Sequence, residues 1–498
     1  MSVQLPLGQA RAPVRFLLAF FLAAALARLI LVFATGFCDD EAYVVVISRA
    51  PALSYFDHPP LHQWILTGWT ALVGEGRLGR LPFFVCSLVT SFALFGLARR
   101  LFSTNAAWWT LFAFSASAYF LVYPDGYIMP DLPLLMFLAL GAWAVAEILF
   151  GPPERETPLW LIAGLALGLA GLSKYSAIFA PLGLFGFFLT SQAGRRWLSD
   201  PRPYVAALIG LACITPAIVW NAENGWVSLA FQSGRAARIV SFGPRALGEI
   251  LAGLGAQIAA MSPWILFPLL AGLGSAFRRG ADARQRFLLW LAAPPLVFFA
   301  LIPLLGERAI SHWFNSGWLF AFPLAGRWLA ERSPRFLQRF LAVSASLAAV
   351  IVVGYLAALL LGPFDLKGVR DPTRGMYDWP AGALRQAYQQ TGAKFVLVEN
   401  WRLGGRVGVA LGPSVPVCAM GGDPRGFAFA CDARKYLGED ALIVTAQDNG
   451  RAAEEAAFFQ AVEPMGEAEI GRRDSRERVL TLEAGRRLTT APPLPYGP

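Results

Sequence analysis

The sequence predicts a polytopic α-helical membrane protein, with about eleven transmembrane helices, followed by a C-terminal soluble α/β domain. Three observations lead there. The 498-residue chain is 56% hydrophobic and only 15% charged, with a mean hydropathy of +0.51; soluble globular chains are nearer ~45–50% apolar and ~25% charged. Its apolar residues fall in runs long enough to cross a bilayer. Its charge is also uneven: residues 363–498 hold 17 of the 42 Lys+Arg and 17 of the 33 Asp+Glu, so residues 1–362 carry the whole +9. This composition excludes disorder, a disulfide scaffold and an ordinary cytosolic enzyme. The basic excess belongs to membrane loops, so the pI of 9.5 does not call for nucleic acid as a partner.

A span needs ~20 mostly apolar residues. Candidates run over 15–37, 81–101, 106–122, 131–150, 159–173, 176–191, 203–220, 247–276, 287–305, 314–330 and 339–362. The pieces 159–173 and 176–191 are short enough to form one re-entrant pair. The first run, after Arg11 and Arg15, is too long for a signal peptide. One set of loop ends carries 16 Lys/Arg, among them Arg99, Arg195 and Arg278; the other carries 8, among them Arg49, Lys174 and Arg308. The richer set is expected to be cytoplasmic. Eleven spans then place the N-terminus inside and residues 363–498 outside. With Lys only 4 of the 42 basic residues and Ala abundant, a GC-rich bacterial genome is expected, so the working location is a bacterial inner membrane with the outer side periplasmic.

After Pro363 the pattern changes. Apolar β-rich runs occur at Lys394–Glu399, Val415–Ala419, Ala441–Thr445 and Arg478–Glu483, with helical stretches near 381–390, 401–411 and 452–459. The alternation predicts a small α/β domain with a mainly parallel sheet. Gly404-Gly405 is too weak to read as a nucleotide loop. Cys418 and Cys431 would be permitted a disulfide in an oxidising compartment, or they remain two separate buried thiols. The last residues, APPLPYGP, read as a disordered end.

The most informative segment is the first outer loop, residues 38–80, which opens CDDEAYVVVISRAPALSYFDHPPLHQWIL. Asp39, Asp40 and Glu41 directly follow the first span. Acids so close to a bilayer are costly and usually functional. Glu41–Ser54 could form an amphipathic helix on the membrane surface. Arg49, Asp57, His58 and the rigid pair Pro59-Pro60 follow. A solvated loop with a chance cluster of charges is the alternative.

An Asp-Glu pair after the first span, then an aromatic-Asp-His-Pro-Pro-Leu string, resembles the bacterial C-type (GT-C) integral-membrane glycosyltransferases. That family, of the glycosyltransferase family 39 type, includes protein O-mannosyltransferases and the lipid A aminoarabinose transferase. Met129-Pro130-Asp131-Leu132-Pro133-Leu134, Gly171-Leu172-Ser173-Lys174-Tyr175, His312-Trp313, Asp371-Pro372-Thr373-Arg374 and Trp379 resemble later family strings in order. His58 stands where aminoarabinose transferases tend to have Lys.

The resemblance implies a sugar donor linked to polyprenyl phosphate and an envelope acceptor: lipid A or lipopolysaccharide, another glycan, or a protein. Cations must meet the leaving phosphate, and Arg49, His58, Lys174 and Arg308 lie on the expected outer side. Lys174 also fits a snorkelling cation at a span end. Asp40 matches the Asp of the family pair and takes the general-base role, a carboxylate whose pKa apolar surroundings would suit to it. Glu41 would position Asp40 or the acceptor. Asp131 would complete the acidic site. Asp39, Asp57, Asp125, Tyr175, His312 and Trp313 are candidate substrate contacts. Asp131 and Asp125 also fit plain helix N-terminal charges, and Trp313 an interfacial anchor. His58 and His62, four apart, could share a metal, but packing is the simpler reading of His62. No cofactor motif is present, and a divalent metal at the acidic cluster is left open. The competing class is a transporter or flippase of a lipid-linked sugar. It fits less well, because the ionisable residues crowd one face and the spans are clean apart from Arg28.

Overall fold

The structure, a computed structural model, describes residues 13–123, 126–234, 244–305, 310–361, 376, 379, 381–446, 457–472, 475–491 and 494–496. Among these, seven helices are long and apolar enough to cross a membrane: Val14–Ala34 (α1), Arg77–Leu101, Asp131–Phe150, Glu156–Ser173, Arg202–Glu223, Ala283–Leu304 and Pro334–Leu361. Two more result if each sharply bent pair is one span: Tyr175–Thr190 with Gln192–Leu198, bent by 105°, and Leu247–Met261 with Pro263–Phe277, bent by 104°. Large apolar side chains such as Leu22, Phe92, Leu208 and Val350 stand exposed on these helices, as a lipid-facing surface requires.

The expected count of eleven is therefore not reached on length. The other two runs form shorter helices: Thr104–Ala116 with Ala118–Val122, and Asn315–Ala330. Both are buried along almost their whole length. They pack against each other so closely that a Cβ on Gly326 would collide with Thr110 Oγ1. The re-entrant pairing of 159–173 with 176–191 does not hold. Glu156–Ser173 packs on Arg202–Glu223, whereas Phe179–Thr190 packs on Ala283–Leu301. Glycines make the first contact possible: a Cβ on Gly164 would collide with Ala206 O, and one on Gly168 would lie 2.8 Å from Gly210 Cα. Small residues four apart let helix backbones approach in a medium that supplies no hydrophobic drive between helices.

Between α1 and the next span lie two short helices, Asp39–Ile47 (α2) and Leu61–Val73 (α3). The expected surface-lying amphipathic helix is absent there. α2 is nine residues long, and all of Glu41–Ile47 is buried. Its Val-Val-Val-Ile run is apolar on every side, which demands burial rather than a lipid interface.

The C-terminal domain is a five-stranded sheet in the order β2-β1-β3-β5-β4, from Phe395–Asn400 (β1), Val417–Asp423 (β2), Ala441–Ala446 (β3), Phe459–Arg472 (β4) and Ser475–Leu488 (β5). β1 pairs in parallel with β2 and β3, while β5 pairs antiparallel with β3 and β4. The sheet is thus mixed rather than mainly parallel. β4 hides in the sequence because Pro464, Gly466 and several glutamates interrupt it, a composition that suits an edge strand. Of the helix expected at 452–459, residues 452–456 lie outside the described set, and Phe459 opens β4. The Asp371–Arg374 string is likewise outside the described residues. Cys418 and Cys431 form a disulfide, their Cα atoms 5.2 Å apart.

The sheet domain sits directly on α2 through the helix Trp401–Leu411. A Cβ on Gly405 would stand 2.5 Å from Tyr43 N, and one on Gly408 2.6 Å from a Val46 methyl. Gly404-Gly405 thus belongs to a helix contact surface.

Candidate functional site

The three acids after α1 occupy the first turn of α2, where the helix dipole favours negative charge. They face different ways. Glu41 points inward and is 0% exposed. Arg80 meets it with Nε at 2.8 Å and Nη2 at 2.6 Å, and the Tyr127 and Ile128 N–H groups donate to it at 2.8 and 3.1 Å. Its other oxygen accepts from Cys38 N, closing a capping box. Arg80 also donates to the carbonyls of Val32, Thr35 and Gly36 at the end of α1. Burial alone would raise the pKa of Glu41; the Arg80 charge and the backbone donors reverse this and hold it below the ordinary value. Glu41 is therefore an anchor for the start of α2, with both oxygens occupied, rather than a group free to meet substrate.

Asp39 points to the sheet domain. Arg406 Nε lies 2.7 Å from its Oδ1, and the same guanidinium caps the Phe37 carbonyl and lies over Trp379. This ion pair is a domain contact, which accounts for Asp39 without a substrate. Asp40 alone of the three is exposed. The desolvation expected to suit it to base chemistry is not found. Instead it stands at a helix N-terminus, within the electrostatic reach of Arg425.

Asp57, 7% exposed, is held from three elements. Tyr43 of α2 donates its hydroxyl to Oδ2. Arg425 of the sheet domain brings Nη1 to 3.4 Å of Oδ1. Gln232, on the helix Val227–Gly234, donates to the Asp57 carbonyl at 2.5 Å. Phe56 stacks on Tyr496, with ring centroids 4.3 Å apart. Tyr496, within the end expected to be disordered, therefore packs its ring on the first outer loop, while its hydroxyl accepts from the Arg425 N–H of the sheet domain.

His58 is half-buried, its ring 6.1 Å from that of His62. His62 is 1% exposed. Burial pulls its pKa down to about 3, against the opposing influence of the Pro59 carbonyl and Asp131, so this imidazole is neutral at physiological pH. Next to it lies a buried pair: Lys174 Nζ is 2.9 Å from both oxygens of Asp131. Sequence reasoning gave these two residues separate roles, phosphate binding and catalysis; the structure joins them. Asp131 opens the helix Asp131–Phe150, and Lys174 directly follows Glu156–Ser173, so two helix ends are pinned at one point.

Beside this cluster runs an apolar groove of about 720 Å³. It lies between the helices Glu156–Ser173, Phe179–Thr190 and Arg202–Glu223, from Trp160, Trp197 and Tyr204 at one end to Gly171, Tyr175, Asn221 and Pro59 at the other. Trp160 to Gly171 is roughly 16 Å of helix at ~1.5 Å per residue. The Tyr175 hydroxyl is 2.8 Å from Ser228 Oγ and accepts from Asn221 at 3.2 Å, a polar rim at the Pro59 end.

The other expected contacts fall elsewhere. Arg49 makes a 2.7 Å ion pair with Glu75 and donates to Gly408 O, so it links the first loop to the sheet domain rather than offering itself to a phosphate. His312 and Trp313 are half-buried on the turn Ser311–Phe314, which Gln257 ties down and where Trp313 meets Phe299. Asp125 and Arg308 lie outside the described residues. Among the described residues, no three His, Cys, Asp or Glu side chains converge to hold a metal ion.

Sequence reasoning missed Tyr43, Arg80, Gln232, Arg425 and Tyr496. Arg80 was visible only as one loop charge. Arg425 stands 368 residues from Asp57, a separation at which no local pattern signals contact.

Residues 57–220 match the family described as dolichyl-phosphate-mannose-protein mannosyltransferase. The lipid A galacturonosyltransferase RgtD of Rhizobium johnstonii is 24% identical over 389 residues, covering 74% of this chain and 76% of its own. The crystal structure of ArnT from Cupriavidus metallidurans bound to undecaprenyl phosphate matches with a TM-score of 0.66 at 16% identity, over 95% of this chain and 98% of that one. The apo oligosaccharyltransferase of Archaeoglobus fulgidus matches with a TM-score of 0.50 at 14% identity, over 81% of this chain and 64% of that one.

Proposed function

We propose that this chain, which belongs to the C-type integral-membrane glycosyltransferases, moves a sugar from a polyprenyl-phosphate donor onto lipid A at the outer face of a bacterial inner membrane. The observation that carries the reading is the apolar groove that ends at Pro59, one residue from His58. A polyprenyl tail lying in that groove brings its phosphate to the polar end, past the Tyr175–Asn221 rim, where His58 adjoins Pro59. The Asp131–Lys174 pair and neutral His62 fix the helix ends around that point, with Lys174 a second cation close to the leaving phosphate.

Asp40 is the general base. Its exposed carboxylate takes the proton of the acceptor hydroxyl as that oxygen bonds to the anomeric carbon. The bond from that carbon to the phosphate oxygen breaks, and the electron pair leaves on polyprenyl phosphate. Glu41 and Arg80 do not touch substrate; they set where Asp40 points.

The placement of the sheet domain outside has two supports. The Cys418–Cys431 disulfide suits an oxidising compartment. Seven or nine spans, or eleven with the two short core helices, are all odd counts that put the two ends of the chain on opposite sides.

The test is transfer by the purified full-length protein in detergent. With polyprenyl-phosphate galacturonic acid, the sugar of the matched Rhizobium enzyme, and lipid A, mass spectrometry should show lipid A heavier by one sugar residue. Transfer from a nucleotide sugar in preference to the lipid-linked one would overturn the donor class. Transfer to a protein or to water but not to lipid A would overturn the acceptor.

A further inference from the structure

We infer that the sheet domain is a working part of the active site, and that Arg425 is the residue through which it positions the Asp57-His58 loop. The inference rests on the transferase reading of that site.

The backbone argument comes first. Pro59 restricts the conformation of His58, and Pro60 that of Pro59. The direction of the His58 side chain is therefore set largely by how Asp57 is held. Among the groups that hold Asp57, Arg425 comes from the far end of the chain. It is built for the task. Its φ is +45°, a left-handed conformation that a side-chain-bearing residue adopts only when its surroundings impose it. The next residue is glycine because a Cβ at 426 would stand 2.6 Å from the Tyr43 hydroxyl. Gly426 N–H donates to that hydroxyl at 2.9 Å, and the hydroxyl donates to Asp57. The Arg425-Gly426 pair thus reaches Asp57 by two routes, one direct and one through Tyr43.

The guanidinium is pre-oriented as well. It lies 3.9 Å from the centroid of Trp401, on the docking helix. Its backbone N–H donates to the Tyr496 hydroxyl at 2.8 Å, and Tyr496 stacks on Phe56, the residue before Asp57. A cation shielded by Trp401, facing Asp57 and within reach of Asp40, organises the carboxylates of the first loop. Its side chain is only 14% exposed, which is more shelter than a surface ion pair has.

The experiment uses the full-length protein with the polyprenyl-phosphate donor and two variants. Arg425→Ala removes the side chain; Arg425→Met keeps bulk against Trp401 and removes only the charge. Both should lower kcat/KM for the donor by about tenfold, with Arg425→Met melting above Arg425→Ala because it keeps the packing on Trp401. The decisive readout is a double-mutant cycle with His58→Ala. A residue that acts through His58 adds little further loss once His58 is gone. Losses that multiply in full, or an Arg425→Met protein as active as wild type, would overturn the inference. Hydrogen exchange in peptides covering residues 52–62 is read on the same samples and should be faster in both variants. Unchanged exchange there would also overturn the proposal. Because exchange needs no substrate, an inactive wild type would sink the transferase reading while exchange still decided the positioning claim.

Discussion

Replacing Glu41 by Gln should destabilise the whole protein far more than removing a comparable ion pair at the surface. Glu41 and Arg80 are both 0% exposed in their side chains, so neither can fall back on water when the other changes. Breaking a buried pair by altering one partner costs about 3–5 kcal/mol, because the remaining charge stays buried and unmatched. The amide introduced by Glu41→Gln would also turn one acceptor into a donor facing the Arg80 guanidinium. The reference is Arg49→Ala, whose partner Glu75 is 23% exposed and whose own side chain is 19% exposed; such a pair is worth ~0–1 kcal/mol. Thermal unfolding of the detergent-solubilised protein measures both. Arg49→Ala should shift Tm by roughly 2 °C or less, and Glu41→Gln by several times that. Glu41→Leu with Arg80→Leu, which removes both charges, should recover much of the loss. Acid should imitate Glu41→Gln. The folded-state pKa of Glu41 is depressed, so its stabilisation is complete above the unfolded value of ~4.3 and is lost as pH falls through the lower folded value. A Glu41→Gln protein that melts like wild type but has lost transfer would refute the anchoring role and return Glu41 to the chemistry.

Three further outcomes are expected. Asp40→Asn should reduce turnover by about 100-fold, the usual worth of a general base, while Asp39→Asn, which loses only its bond to Arg406, should cost far less; equal losses at the two positions in a turnover assay would refute the assignment. Ala207→Trp should fill the groove, in whose wall Ala207 lies exposed. It should raise KM for a long-chain donor about tenfold while sparing a short-chain donor, since burying an indole where a tail belongs forfeits ~1–2 kcal/mol of apolar contact; equal effects on both donors would place the tail elsewhere. Gly405→Ala would set a Cβ 2.5 Å from the backbone of α2. Overpacking of that kind costs ~1–3 kcal/mol and should make the sheet domain more sensitive to limited proteolysis, whereas Gly438→Ala, with open space around it but a φ of +85°, should strain only its own turn.

Much of the architecture was legible in the sequence for a physical reason. Hydropathy and charge are sums over residues, and a membrane reads those sums directly. The runs at 15–37, 131–150 and 203–220 became helices long and apolar enough to span, and the change of composition toward the C-terminus signalled the sheet domain. The same sums could not say that Thr104–Ala116 and Asn315–Ala330 are short core helices, since an apolar helix reads alike whether it faces lipid or protein. β4 was hidden because an edge strand is free to carry the Pro, Gly and Glu that sequence patterns take for a loop. At the site, the Asp-Asp-Glu triplet and the Phe-Asp-His-Pro-Pro string marked the loop, but could not assign its acids. Three neighbouring carboxylates on one helical turn point about 100° apart, so Glu41 meets Arg80, Asp39 meets Arg406, and Asp40 stays exposed. The partner of Asp39 stands 367 positions away, brought to it only when the sheet domain docks on α2.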